Sequence, residues 1–276
     1  MELGLSGKVA LVTGASRGIG KGIALSLAVE GCDLLITGRD EAALKAVAAE
    51  IKAKGRKAAI SVLDLRQEGS EKPLVEAVRR EFGRLDILVN NAGATQRGDF
   101  FKLTNAEWAD GFALKFFAHV RLTREAWPLL KAKHGSLVTI AGIGGKEPEA
   151  PFTIGSSVNA ACVAFTKAMA DIGKADGVQV NSINPGRVET ERLWRRFRET
   201  MKATLAIEAS TPRRERRTTL NMEAPRRSRV KLPSPGAGSR PRAAASIGAA
   251  PQAHIRAGTR AGGRPLRATA RPPPPA

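Results

Sequence analysis

The feature that most constrains the fold of this chain is a glycine-rich turn between an apolar run and an amphipathic segment. Residues 8–12 form a short apolar run rich in β-branched side chains, typical of a buried strand. The turn, residues 13–20 (TGASRGIG), follows directly, and residues 19–29 then place apolar side chains at helical spacing. A strand, a glycine turn and a helix in this order predict a βαβ unit and a parallel sheet.

The same alternation continues along the chain. Further strands are predicted at residues 33–37, 57–63, 86–89, 136–140 and 178–183, and further helices at 40–54, 70–82, 105–131 (one long helix or two broken ones) and 152–173. We therefore predict an α/β fold with a doubly wound parallel sheet, because right-handed crossovers place helices on both faces. Ligands bind such sheets at the carboxyl ends of the strands. The glycine turn, residues 90–93 (NNAG) and residues 184–186 (NPG) all follow predicted strands at that edge.

The glycine turn indicates a phosphate site. Gly14, Gly18 and Gly20 allow a tight turn and a close approach of the backbone to a pyrophosphate. The helix that follows offers free N–H groups and the positive end of its dipole to the phosphates. The motif at residues 90–93 adds a second signal at the same edge, and together the two motifs predict a nicotinamide nucleotide site.

These motifs resemble those of the short-chain dehydrogenase/reductase family. The glycine turn, NNAG, Asp64-Leu65 and NPG with Thr190 stand at that family's spacing within residues 6–195. The resemblance implies a Rossmann-type fold, NAD(P)(H) binding and oxidoreductase activity on a small carbonyl or alcohol. It also implies that Asp64 borders the adenine, that Asn90 and Gly93 pack around the adenosine half, and that Thr190 approaches the carboxamide or phosphates. The predicted cofactor site comprises Gly14, Ser16, Arg17, Gly18, Ile19, Gly20, Arg39, Asp64, Leu65, Asn90, Ala92, Gly93, Asn159, Pro185, Gly186 and Thr190.

The charges near the end of the second strand favour NADP(H). An acid at this point commonly holds the ribose 2′-hydroxyl of NAD, but here Gly38 is followed by Arg39, and Arg17 lies within the glycine turn. Two guanidinium groups suit a 2′-phosphate. Asp40 is the competing acid, and it is better placed as a helix cap. NAD is the alternative cofactor, and in that case both arginines are simply solvated.

The chain contains no tyrosine, whereas the family it resembles uses an Asn, a Ser, a Tyr and a Lys for catalysis. Alignment by flanking motifs puts Lys115 at the Asn position and Gly142 at the Ser position. The same alignment puts Gly155 at the Tyr position and Asn159 at the Lys position. The resemblance therefore implies a divergent member that lacks the usual tetrad.

The replacements suggest a substitute acid. Lys115 brings an ammonium group into an apolar stretch, and desolvation lowers a lysine pKa toward the range used in acid–base chemistry. We predict Lys115 as the catalytic residue. A water molecule is the alternative proton donor, and a structural cation is the alternative role of Lys115. Gly155 is expected to leave a hole the size of a phenol, and Asn159 to bind the nicotinamide ribose. His119, one turn beyond Lys115, is a packing residue or a second titratable group of the site.

The composition divides the chain in two. The net charge is +19, and residues 199–276 carry 12 of these charges together with 11 of the 16 prolines. We predict an NAD(P)-binding domain over residues 1–198 and a disordered basic tail over residues 199–276, because the tail has too little apolar surface to offset the entropy of ordering. We also expect the C-terminal strand and helix of the family to be missing. A frame change in a GC-rich coding sequence accounts for such a switch in composition.

The remaining signals bound location and partners. Cys32 and Cys162 imply no disulfide framework, and neither a signal peptide nor a membrane span is predicted, so we expect a cytoplasmic protein. We predict no metal site and no specific nucleic-acid partner. A homo-oligomer is compatible with the resemblance, although its C-terminal contacts would be incomplete. The alternatives to an NADP(H)-dependent oxidoreductase are a non-catalytic NADP(H)-binding sensor or partner protein and a frameshifted, inactive product.

Overall fold

A computed structural model describes residues 3–191, 193–195, 197–199, 201 and 202. The strands are β1 Val9–Thr13, β2 Asp33–Gly38, β3 Ala58–Val62, β4 Ile87–Asn90, β5 Ser136–Ile140 and β6 Gln179–Ile183. The helices are α1 Gly18–Val29, α2 Glu41–Lys52, α3 Glu71–Phe82, α4 Asn105–Phe112, α5 Ala118–Ala132 and α6 Thr153–Asp176. Short 3₁₀ helices occupy Phe100–Lys102, Ile143–Gly145 and Ala150–Phe152. The predicted tail, apart from residues 199, 201 and 202, lies outside the described residues.

The strands form one parallel sheet in the order β3-β2-β1-β4-β5-β6. The register places Leu11 of β1 beside Leu35 of β2 on one side and Leu88 of β4 on the other. The strand order reverses between β1 and β4, and such a switch point opens a crevice at the carboxyl ends of the strands. Within the described residues β6 forms the outer edge of the sheet. The predicted doubly wound α/β fold of Rossmann type is confirmed.

Two apolar cores lie on opposite faces of the sheet because successive strand residues point to opposite sides. On one face Leu11 and Leu88 pack with Leu74 of α3 and Leu122 of α5. On the other face, side chains of β1 and β2 pack with those of α1 and α2.

The predicted helix over residues 105–131 is interrupted. Ala113–Phe117 form a π-helical turn between α4 and α5, so the second of the two predicted forms, a broken helix, is confirmed. A π-helical turn inserts an extra residue into the helix, and such insertions frequently mark functional sites. This turn carries Lys115 at its centre.

Candidate active site

The glycine turn joins β1 to the N-terminus of α1 and has no room for side chains at two positions. Gly14 adopts φ +65, and a Cβ atom there would lie 2.9 Å from Ala92 Cα. A Cβ atom on Gly20 would lie 2.3 Å from the Gly14 carbonyl oxygen. Gly18, Ile19 and Gly20 at the start of α1 line a cleft, and the N-terminus of a helix is a site where phosphates bind.

A side chain that the sequence analysis did not single out braces this turn. The Asn91 amide nitrogen donates to the carbonyl oxygens of Thr13, at 2.8 Å, and Gly14, at 3.2 Å. The Thr13 hydroxyl oxygen in turn accepts from the backbone N–H groups of Asn91 and Ala92, both at 2.9 Å. The β1 and β4 ends are therefore tied together by four hydrogen bonds, and the glycine turn is held against the NNAG segment.

One large cleft of about 1960 Å³ collects nearly all the predicted site residues. Its lining contains Gly14, Ser16, Arg17, Gly18, Ile19, Gly20, Arg39, Asp64, Leu65, Ala92, Gly93, Lys115, Asn159, Pro185, Gly186 and Thr190. The exception is Asn90, which is fully buried and donates its amide N–H to the Thr123 hydroxyl at 3.0 Å. Asn90 therefore lies beneath the cleft instead of in its lining, because it is the last residue of β4 and its side chain points into the core.

An ion-pair cluster of two arginines and two carboxylates lies where β2 and β3 end. Asp64 pairs with Arg39 at 3.6 Å and with Arg66 at 3.4 Å, and Arg66 also pairs with Asp110. Partial burial alone would raise the pKa of Asp64, but a hydrogen bond from the Arg66 N–H and the charges of Arg66 and Arg39 hold it below its usual value. With Arg17 and Asp40 in the same lining, three guanidinium groups are balanced by three carboxylates in this part of the cleft.

Asp40, the competing acid, is occupied elsewhere. Its carboxylate accepts from the Ala43 N–H at 3.0 Å and so caps α2, as predicted. Arg66 was not predicted, although its position next to Asp64 could have suggested it.

Lys115 projects from the π-helical turn across the NNAG segment to the end of β5. Its Nζ atom donates to the Ala141 carbonyl oxygen at 2.7 Å. A Cβ atom on Gly93 would lie 2.9 Å from Lys115 Cδ, so the glycine lets the lysine chain pass. The ammonium group is therefore held at Ala141. The next residue, Gly142, is the one that aligns with the family's Ser.

Behind Lys115 lies a buried neutral pair. His119 is only 1% exposed, and its Nε2–H donates to the Ala92 carbonyl oxygen at 2.9 Å. Burial, with the nearby Lys115 charge, lowers the pKa of His119 to about 4, against the opposing effect of the Ala92 hydrogen bond. Its Nδ1 lies 3.9 Å from the Cys162 sulfur, which donates to the Lys115 carbonyl oxygen at 3.2 Å. Burial also raises the pKa of Cys162 to about 11. His119 is thus a packing residue that anchors the turn.

The expectation of a phenol-sized hole at Gly155 is wrong. A Cβ atom on Gly155 would lie 2.0 Å from the ring of Phe152, which covers this position. The Arg97 guanidinium lies 3.9 Å from the centroid of that ring and pairs with Glu149 at 3.0 Å. The reason is local, since the 3₁₀ turn Ala150–Phe152 leads directly into α6 and brings the ring back over its first turn.

The Ser position is also filled by a neighbour. A Cβ atom on Gly142 would lie 3.0 Å from the amide nitrogen of Asn159 and 3.2 Å from its oxygen. Asn159 is 2% exposed, and its Oδ1 atom has no hydrogen-bond partner within the described part of the chain. A buried acceptor without a donor is costly.

The comparisons with known proteins agree with this architecture. A family model described as short chain dehydrogenase matches residues 8–201. The 3-oxoacyl-(acyl-carrier-protein) reductase FabG of Escherichia coli (strain K12) is 33% identical over 190 residues, which cover 68% of this chain and 77% of that protein. The chain therefore belongs to the short-chain dehydrogenase family, and the resemblance inferred from its motifs is confirmed.

Solved structures give the same result. The L-sorbose reductase of Gluconobacter frateurii, solved with NADPH and L-sorbose, is 34% identical with a TM-score of 0.68, over 70% of this chain and 74% of that one. A xylitol dehydrogenase solved with NAD⁺ is 27% identical with a TM-score of 0.67, over 70% of this chain and 75% of that one.

Among the described residues, no helix has both the length and the apolar character that crossing a bilayer requires.

Proposed function

We propose that the protein is an NADP(H)-dependent oxidoreductase that interconverts a carbonyl and an alcohol on a small molecule, with Lys115 as its acid. The observation that carries the proposal is the single cleft that contains both the glycine turn and Lys115. Reductases and dehydrogenases with bound NADPH or NAD⁺ are among the structural neighbours. NAD is the second choice of cofactor.

The residues present fit the cofactor. The turn at Gly14 and Gly20 packs too tightly for side chains, and it lines the cleft at the N-terminus of α1, which suits a pyrophosphate. Arg17 and Arg39 suit the 2′-phosphate, since a guanidinium binds phosphate with charge-assisted hydrogen bonds. Asn159 lines the same cleft, and we assign its amide to the nicotinamide ribose. When bound, the cofactor supplies or accepts a hydride at the substrate carbon.

The chain itself must supply the proton. An alkoxide formed at the carbonyl oxygen needs a donor, and among the four family positions only Lys115 carries a titratable group. Its ammonium group, already aligned by the Ala141 carbonyl oxygen, transfers a proton to that alkoxide. The neutral amine then recovers its proton from water. His119 cannot share this task, because its pKa of about 4 keeps it neutral near pH 7.

A second candidate is a non-catalytic NADP(H)-binding sensor. One observation favours it: the Phe152 ring lies where the family's phenol would stand, so the usual proton donor is replaced by an inert surface. The packing around Gly142 and Gly155 weighs against a merely damaged product, because the close-fitting neighbours Asn159 and Phe152 fill both positions.

The experiment is a pair of measurements on the purified protein. NADPH consumption is followed over a panel of ketones and aldehydes, and NADPH binding is titrated separately. Binding with turnover supports the oxidoreductase. Binding without turnover on any substrate contradicts it in favour of the sensor, and the absence of both points to an inactive product.

A further inference from the structure

A largely buried arginine of α5 lies outside the site described above. The Arg121 side chain is 17% exposed, and its Nε atom lies 3.4 Å from a carboxylate oxygen of Glu71, whose side chain is 11% exposed. A second contact points toward the cleft, since Arg121 Nη2 donates to the Leu65 carbonyl oxygen at 2.8 Å. The attraction within a buried ion pair often fails to offset the cost of desolvating both charges. The stability of the pair is therefore a weak reason for an arginine at this position, and the contact with Leu65 suggests a second role.

The peptide group between Leu65 and Arg66 connects Arg121 to the cleft. Its carbonyl oxygen accepts from Arg121, and its N–H donates to the Asp64 carboxylate at 3.0 Å. Because a peptide group is planar, fixing the direction of the carbonyl also fixes the direction of the N–H on its opposite side. The Arg121 contact therefore orients the Asp64 carboxylate through one peptide group.

The oriented carboxylate in turn contacts Arg39. Asp64 pairs with Arg39 at 3.6 Å, and both residues line the cleft. The Arg39 side chain is 64% exposed, and an exposed arginine loses considerable rotamer entropy when a ligand immobilises it. A partner that already restricts the side chain reduces this loss. Three contacts thus lead from Arg121 through the peptide group and Asp64 to Arg39.

We propose that Arg121 is a positioning residue of the cofactor site, which holds Asp64, and through it Arg39, in place for the phosphoadenosine half of the cofactor. Arg121 lies outside the cleft lining, so it acts only through these contacts. The inference rests on the proposed function for the assignment of Arg39 to the 2′-phosphate.

The test is a calorimetric titration of the full-length protein with adenosine 2′,5′-bisphosphate, which carries the adenine and the 2′-phosphate but no nicotinamide. Arg121→Met should weaken binding of this probe about tenfold, the effect of losing one charge-assisted hydrogen bond. Arg124→Met is the matched control, because Arg124 is exposed on the same helix and lies outside the cleft lining. Arg121→Lys is the second variant and serves where the methionine variant does not fold. It keeps the charge beside Glu71 but lacks the fork of a guanidinium, so affinity should fall at least about threefold.

Two further variants separate positioning from a general loss of stability. Glu71→Gln breaks the ion pair but leaves the Leu65 contact, so the urea midpoint should fall as in Arg121→Met while affinity for the probe stays within about twofold. In an Asp64→Ala background, Arg121→Met should cause no further loss of affinity, because its effect passes through Asp64. Unchanged affinity in the Arg121 variants, an equal loss in Glu71→Gln, or additive losses with Asp64→Ala overturns the inference. A natural protein that does not bind the probe contradicts the proposed function as well, so the two failures are distinguishable.

Discussion

The two ends of the cleft differ in how they are built. At the glycine-turn end, a side chain at Gly14 or Gly20 would collide with the backbone around it. At the α6 end, Gly142 and Gly155 stand at positions where the family has Ser and Tyr, and neighbouring side chains fill the space. Backbone geometry can be kept only by keeping the glycines, whereas a site built from side chains can be replaced one group at a time. The first end therefore retains its family pattern, while the second has been repacked.

The largest effect is expected from adding a single methyl group at the glycine-turn end. Gly20→Ala places a Cβ atom 2.3 Å from the Gly14 carbonyl oxygen, so the turn must open and the N–H groups of α1 lose their alignment. NADPH affinity should fall by ~1000-fold or more, about 4 kcal/mol. Gly22→Ala is the control, because a Cβ atom there has no neighbour within 4 Å. Isothermal titration of both variants measures this difference, and similar affinities would contradict the geometric reading.

The next prediction concerns His119, which is buried and bonded to the Ala92 carbonyl oxygen. Its pKa is about 4 in the folded chain and ~6.5 when unfolded. Between these values the unfolded chain binds a proton that the folded chain does not, so the free energy of unfolding decreases as the pH falls from 6.5 to 4. The full contribution is on the order of 3 kcal/mol. Urea unfolding at pH 7 and pH 4 should show a smaller decrease in His119→Gln, whose amide can still donate to Ala92. Equal decreases in the two proteins would show that His119 is not buried in its neutral form.

The smallest effect in this series concerns cofactor choice. Arg39→Asp should weaken NADPH by roughly ten- to a hundredfold, or ~1.5–3 kcal/mol, and NADH far less. Arg80→Asp is a suitable control, since Arg80 pairs with Glu81 at 3.1 Å and lies outside the cleft lining. Equal losses for NADPH and NADH would remove Arg39 from the 2′-phosphate site.

The sequence predicted the fold and most of the cleft because both depend on local patterns. Apolar runs and glycine turns located the six strands to within about two residues, and Asp40 was correctly assigned as a cap. Asn91 was missed because the doublet Asn90-Asn91 gives no local sign of which side chain faces the turn. That choice depends on where β4 ends.

The repacking of the α6 end was beyond sequence reasoning for a different reason. The absence of tyrosine showed that a phenol is lost, but the ring that covers Gly155 comes from Phe152, three residues earlier. Its direction is set by the local 3₁₀ turn, which the sequence does not signal, and by the contact with Arg97, which is a tertiary feature. The contact of the Asn159 amide with Gly142 likewise depends on how α6 meets the end of β5.

The most direct test of the account is the effect of Lys115→Met on turnover and on cofactor affinity, measured in the same preparation. If the α6 end was rebuilt around this lysine, turnover should fall by ~10²–10⁴-fold, while NADPH affinity stays within about twofold, or ~0.4 kcal/mol. Lys146→Met is the control, because Lys146 is exposed and lies outside the cleft lining. Unchanged turnover in Lys115→Met, with NADPH still bound, would contradict the account and exclude Lys115 as the proton donor.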